Sequence, residues 1–108
     1  MAYKIIYKKR FQTKLFKLLD YLKQEWGDNV ANNFINRLQN RLYTLSQQPY
    51  IGVSSIVIKS VRSILITKHN RLFYRIKNDT IEVLNMYDTR SNPKKNPRND
   101  GRGIHFIA

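Results

Sequence analysis

Between Lys59 and Lys77 the chain carries six basic side chains, Lys59, Arg62, Lys68, Arg71, Arg75 and Lys77, and no acidic one. Arginine offers a planar fork that grips phosphate or carboxylate oxygens and does not deprotonate, and lysine offers a compact charge. A stretch so composed is suited to recognising an anion. Within it Leu72, Tyr74 and Ile76 alternate with Arg71, Phe73, Arg75 and Lys77. That alternation is the pattern of a half-buried strand, with one face on a core and the other presenting cations. The whole 108-residue chain agrees: 20 basic against 7 acidic residues leave a net charge of +13, which calls for an acidic partner, whether RNA, DNA or protein. Phe73 and Tyr74 add aromatic surface for nucleic acid, but alternation lets only one of them face outward. Other chemistries find no support. No His, Asp and Glu cluster has metal-ligand spacing, there is no glycine-rich phosphate loop and no serine-nucleophile motif, and cysteine is absent. No cofactor and no metal are expected.

Each of these residues also has a plainer reading. Arg71 and Arg75 suit a solvated strand face. His69 falls at a turn. Tyr87 suits a core or edge aromatic, and Arg90 can pair with Asp88 or cap the sheet.

The elements that must hold this stretch can be read from spacing. Lys59 to Arg90 reads as three strands joined by turns at His69-Asn70 and Asn78-Asp79, residue types that tolerate turn conformations. Ile64 and Ile66 mark the first strand, and Ile81 and Val83 continue toward Tyr87 in the last. Upstream, Tyr3 to Tyr7 is a short β-rich run. Phe11, Leu15, Leu18, Leu19, Leu22 and Trp26 then recur at helical spacing, with Trp26 read as core where the helix meets the sheet. Gly27 sits where a helix-ending glycine belongs, and Asp28 is a candidate cap for the next helix. A second apolar stripe runs through Val30, Phe34, Ile35, Leu38, Leu42 and Leu45. Lys14, Lys17, Lys23, Arg37 and Arg41 are placed on the outer helix faces. Pro49 stops the second helix, Gly52 marks a turn, and Ser55 to Lys59 is a candidate short strand. The order β-α-α-β-β-β predicts an α+β domain, its N-terminal strand and helix hairpin packed on a curved antiparallel sheet.

Residues 1–90 form one domain on this reading. Residues 91–108 differ: SNPKKNPRNDGRG is rich in Pro, Gly and Asn, and its cations, Lys94 and Lys95 among them, make a basic tail ending in the apolar Ile104 to Ile107. No run has the length of a signal peptide or a membrane span, so a cytoplasmic protein without membrane contact is expected.

The ordered set Trp26-Gly27-Asp28, Ala31, Phe34, Leu38, Leu42, Leu45, Pro49, Gly52, Val61-Arg62, Arg71-Leu72-Phe73-Tyr74-Arg75-Ile76 and Asp88-Thr89-Arg90-Ser91-Asn92-Pro93 resembles the RelE/ParE superfamily of bacterial type II toxins. The likeness covers roughly Tyr3 to Pro93. It implies a small growth-inhibiting toxin, of the kind associated with plasmid stabilisation, silenced by an acidic cognate antitoxin. Two targets come with the superfamily. RelE-like members are ribosome-dependent endoribonucleases that cut mRNA, and ParE-like members poison DNA gyrase without being nucleases.

Metal-free RNA cleavage needs a base for the 2′-hydroxyl, charge stabilisation at phosphorus and an acid for the leaving oxygen. The resemblance places Arg71 at the phosphate, with Arg90 beside it, and leaves proton transfer to Tyr87 with Lys68 or His69. The chain departs from several nuclease members, which carry a His-Tyr pair where it has Tyr87-Asp88-Thr89. That ending, with the developed helix hairpin, favours the gyrase-directed branch. There Lys59, Arg62, Arg75, Lys77, Lys94 and Lys95 would bind target or nucleic acid. A binding module without chemistry is the third reading.

Overall fold

A computed structural model describes residues 2–89. The order is β1 (Lys4–Tyr7), α1 (Lys9–Trp26), α2 (Asp28–Gln47), a 3-10 turn at Pro49–Ile51, β2 (Val53–Ser54), β3 (Val61–Thr67), β4 (Asn70–Lys77) and β5 (Thr80–Asp88). The five strands form one sheet in the order β1-β5-β4-β3-β2. The expected α+β architecture is present, with one refinement: β1 runs parallel to β5, so the sheet is mixed. The chain reaches β2 only after the helix hairpin, which leaves β1 on the far edge. The domain boundary after residue 90, the basic tail, and the calls on Arg90, Lys94 and Lys95 lie outside the described residues.

The core lies between the hairpin and one face of the sheet. Phe11 from α1 and Phe34, Leu38, Leu42 and Leu45 from α2 meet Ile64, Ile66, Leu72, Tyr74, Ile81, Val83 and Met86. The helical stripes and the strand alternation supply these residues as expected. Gly27 adopts φ +96 between the helices, a left-handed value that glycine takes without a steric cost. Its N–H bonds Lys23 C=O at 3.0 Å, closing α1. Asp28 is the first residue of α2 rather than its cap, where its charge still favours the helix start. Trp26 is 65% exposed, contrary to the core reading: it lines an open cleft between the hairpin and Thr67, Asn70 and Asp88 of the sheet, where nothing covers it among the described residues. Ser55 to Lys59 is not a strand. Only Val53 and Ser54 pair with β3, opposite Ser63 and Arg62. The next residues close a turn, in which Ser55 Oγ accepts from the N–H groups of Val57 and Ile58.

One irregularity decides which way β5 faces. Phe73 opposes Asn85 and Tyr74 opposes Val83, so Leu84 is an extra residue, a β-bulge. Before the bulge Ile81 and Val83 point into the core. After it Met86 does, and Tyr87 turns to the other face. The alternation read from Ile81 through Val83 to Tyr87 is therefore broken.

Candidate functional site

The face of the sheet turned away from the helices carries Arg71, Arg75 and Lys77, whereas Arg62 of β3 lies opposite Tyr74 on the helix-side face. Directly opposite residues on antiparallel strands share a face, so the register aligns Leu65, Arg71 and Tyr87 in one row. Ser63, Phe73 and Asn85 form the next, and Val61, Arg75 and Glu82 a third. The bulge at Leu84 is what brings Tyr87 beside Arg71.

Most of the strand cations already have work in the fold. Arg75 Nε donates to Glu82 Oε1 at 2.7 Å. Glu82 is buried, its side chain 10% exposed, and this bond holds its carboxyl below the usual 4.5, with burial opposing and nearby cations assisting. Arg62 was expected to bind a target. It instead donates to the C=O groups of Gly52 (2.8 Å) and Tyr50 (3.3 Å), and its guanidinium lies 5.0 Å from the Tyr50 ring centre. Arg71 donates to Ser63 Oγ at 2.9 Å, a neutral partner that leaves its charge uncompensated by that bond. Lys59, Lys68 and Lys77 are exposed.

The proposed proton carriers do not converge. His69 forms the β3–β4 turn with Lys68, where its N–H bonds Thr67 Oγ1 at 3.1 Å. It lines a cleft of about 550 Å³ on the helix side of the sheet, floored by Leu18, Leu22, Val30 and Phe34 and rimmed by Arg37 and Asp88. Arg71 faces the other way, and Tyr87 stands at the β5 edge, where it lines a second, smaller cavity with Lys14, Lys17 and Leu18 of α1. Thr89 braces the turn, its N–H bonding His69 C=O at 2.7 Å.

One residue near Tyr87 was missed. Lys14 of α1 was assigned to an outer helix face, but it wraps the edge of β5. Its Nζ lies 3.4 Å from Met86 C=O and 5.5 Å from the centre of the Tyr87 ring. Burial, with help from the Arg10 charge, pushes its ammonium below the usual 10.5. Arg41 acts similarly on the other side, its Nε donating to Leu65 C=O at 2.9 Å. Nothing in the local pattern distinguishes these two cations from Lys17 or Arg37. Their role follows from which strand stops short beneath them.

Among the described residues no group of three His, Cys, Asp or Glu side chains is placed to hold a metal ion, and no helix is long and apolar enough to cross a membrane.

The class that the fold defines is an α+β domain with a helix hairpin on a five-stranded mixed sheet. The family model for the ParE toxin of the type II toxin-antitoxin system parDE matches residues 5–93, and the chain belongs to that family. Its fold is similar to a chain of the chromosomal ParDE system of P. aeruginosa, with TM-score 0.70, 14% identity, and coverage of 82% of this chain and 98% of that one. An E. coli RelE toxin mutant in the free state aligns with TM-score 0.59 and 17% identity over 85% and 88% of the two chains. A conserved hypothetical protein of Helicobacter pylori aligns with TM-score 0.52 and 26% identity over 80% and 93%. No curated protein matches.

Proposed function

We propose that the chain is a growth-arresting toxin, silenced by an acidic cognate antitoxin, and that it acts on DNA gyrase. The observation that carries this reading is the split of the proton carriers. His69 opens to the helix-side cleft while Arg71 lies on the opposite face with Tyr87 at the β5 edge between them, and Arg75 is committed to Glu82. A surface that binds gyrase and DNA needs charge and shape but no shifted pKa. Exposed Lys59, Lys68 and Lys77 supply charge, and Lys94 and Lys95 add to it. Family membership in the ParE group supports the same target.

A second reading has its own observation. Arg71 and Tyr87 are cross-strand neighbours with the Lys14 ammonium over the Tyr87 ring. Such a group suits phosphate binding and proton transfer in a ribosome-dependent endoribonuclease. Inducible expression in a bacterial host, with pulse labelling of DNA and protein synthesis within minutes, separates the two. Early loss of DNA synthesis, together with inhibition of gyrase supercoiling by purified protein, is the expected result. Early collapse of translation with supercoiling unaffected would overturn the gyrase reading in favour of the second.

A further inference from the structure

The cleft that holds His69 has planar walls. Its lining includes Tyr21 and Trp26 of α1 and His69 of the β3–β4 turn. Tyr21 is 55% exposed and Trp26 65%, so both rings stand open to water beside a floor of Leu18, Leu22 and Phe34. Large aromatics left exposed over an apolar floor mark a binding surface. At about 550 Å³ the cleft has the size of a small-ligand site, which runs from roughly 300 to 1,000 Å³.

The rim supplies hydrogen-bonding edges and a cation, through Asn33, Asn70, Asp88 and Arg37. Thr67 Oγ1 accepts from His69 N–H and donates to Asn70 Oδ1 at 2.8 Å, so the Asn70 NH2 group stays available as a donor. Among the described residues the side chains of Asn33, Arg37 and Trp26 make no hydrogen bond or ion pair. Flat walls, amide and carboxyl edges and a guanidinium answer the three needs of an unpaired nucleobase. The rings stack on it, the amides and carboxyl meet its edge, and the guanidinium meets its phosphate.

Charge and continuity select the source of the base. The second, smaller cavity adjoins the cleft through Leu18, Asn70 and Asp88 and adds Lys14 and Lys17. The two together carry Arg37, Lys14 and Lys17 against the single carboxylate of Asp88, on a chain of net charge +13. A free mononucleotide would engage Arg37 and leave the lysines idle, whereas a strand brings them a further phosphate. An acidic peptide would match the charge but offers few flat rings to Tyr21 and Trp26. We propose that the cleft captures an unpaired base of single-stranded nucleic acid, stacked on Trp26 and met at its edge by Asn70 and Asp88, with flanking phosphates near Arg37 and Lys17. The site lies across the sheet from Arg71 and stands apart from both target readings.

Trp26 is the one tryptophan of the chain, so its fluorescence reports on the cleft directly. The purified full chain is titrated with a short single strand and with an abasic strand of the same length and charge. The base-bearing strand is expected to quench Trp26 and to bind roughly five- to a hundredfold tighter than the abasic one, the preference that stacking one base supplies. Trp26→Ala should abolish that preference without lowering the melting temperature, since the ring is exposed. Arg37→Ala should weaken both strands alike, as loss of a phosphate contact does. Equal affinity for the two strands with unchanged Trp26 emission would overturn the proposal in favour of phosphate contacts alone. Equal quenching by a mononucleotide would overturn the strand, and equal quenching by a duplex would overturn the unpaired base. An acidic peptide that quenches Trp26 and displaces the strand would give the cleft to protein. Trp26 already shielded from acrylamide in the free chain would give it to residues 90–108. Neither growth arrest nor supercoiling enters these readouts, so their failure leaves the gyrase reading in place.

Discussion

Tyr74→Phe isolates one hydroxyl. Tyr74 is fully buried, and burial pushes its phenol above the usual 10, partly offset by the Gly52 N–H and the Arg62 charge. Its Oη serves both sides of one turn, donating to Pro49 C=O and accepting from Gly52 N–H. Phenylalanine keeps the ring and removes both bonds, leaving a buried carbonyl and a buried amide without partners. Each such orphan costs about 1–3 kcal/mol. The turn can relax toward water, so the lower end of the combined range applies, about 2–3 kcal/mol. For a domain of this size that lowers the melting temperature by roughly 10–20 °C. Urea unfolding of the isolated chain, followed by far-UV circular dichroism, should show a lower midpoint with an unchanged slope. Gly52→Ala provides the cross-check. Its added Cβ would collide with Tyr74 Oη and come within 2.9 Å of Ser63 C=O and of Tyr74 Cε1. The collision with Oη disappears in the Tyr74→Phe background, so Gly52→Ala should cost less there than in wild type. A Tyr74→Phe penalty below about 0.5 kcal/mol, or strict additivity of the two changes, would refute the account of this turn.

Glu82→Gln should destabilise the fold by roughly 1–2 kcal/mol at neutral pH, discounted because Arg75 is 41% exposed. Because the folded pKa of Glu82 lies below 4.5, its contribution is complete above about that pH and is lost as pH falls through the folded value. The variant should therefore show a flatter acid limb in stability against pH, and an unchanged limb would contradict the pairing. Trp26→Ser should change stability by no more than about 0.5 kcal/mol, as a surface substitution does, whereas a loss of several kcal/mol would restore the core reading of Trp26. Arg71→Ala should preserve folding and leave growth arrest largely intact under the gyrase reading. Abolished toxicity in a folded protein that still arrests translation in the wild-type form would instead support phosphate chemistry at that face.

The elements were legible because their signals are local. Phe11, Phe34 and Leu38 declare a helix face by spacing alone, and Leu72 and Tyr74 declare a strand. What could not be read depends on register and reach. The extra residue at Leu84 follows no local pattern, yet it turns Tyr87 from the core face to that of Arg71. Arg62 looks like its neighbours in sequence, and only the fold places the carbonyls of Tyr50 and Gly52 under its guanidinium. Trp26 keeps the helical period of Leu22 and lines the same cleft, but the cleft is open there and leaves the ring exposed. The split between His69 and Arg71 was likewise invisible, since two residues across a turn carry no label for the side they face.

The side chains at the margins of the sheet have a consequence for how the fold opens. Gln12 and Lys14 of α1 and Arg41 of α2 each donate to a strand carbonyl. Fraying of either helix therefore releases strand backbone as well, so the amides of the hairpin and of the strand margins beneath it should exchange as one cooperative unit.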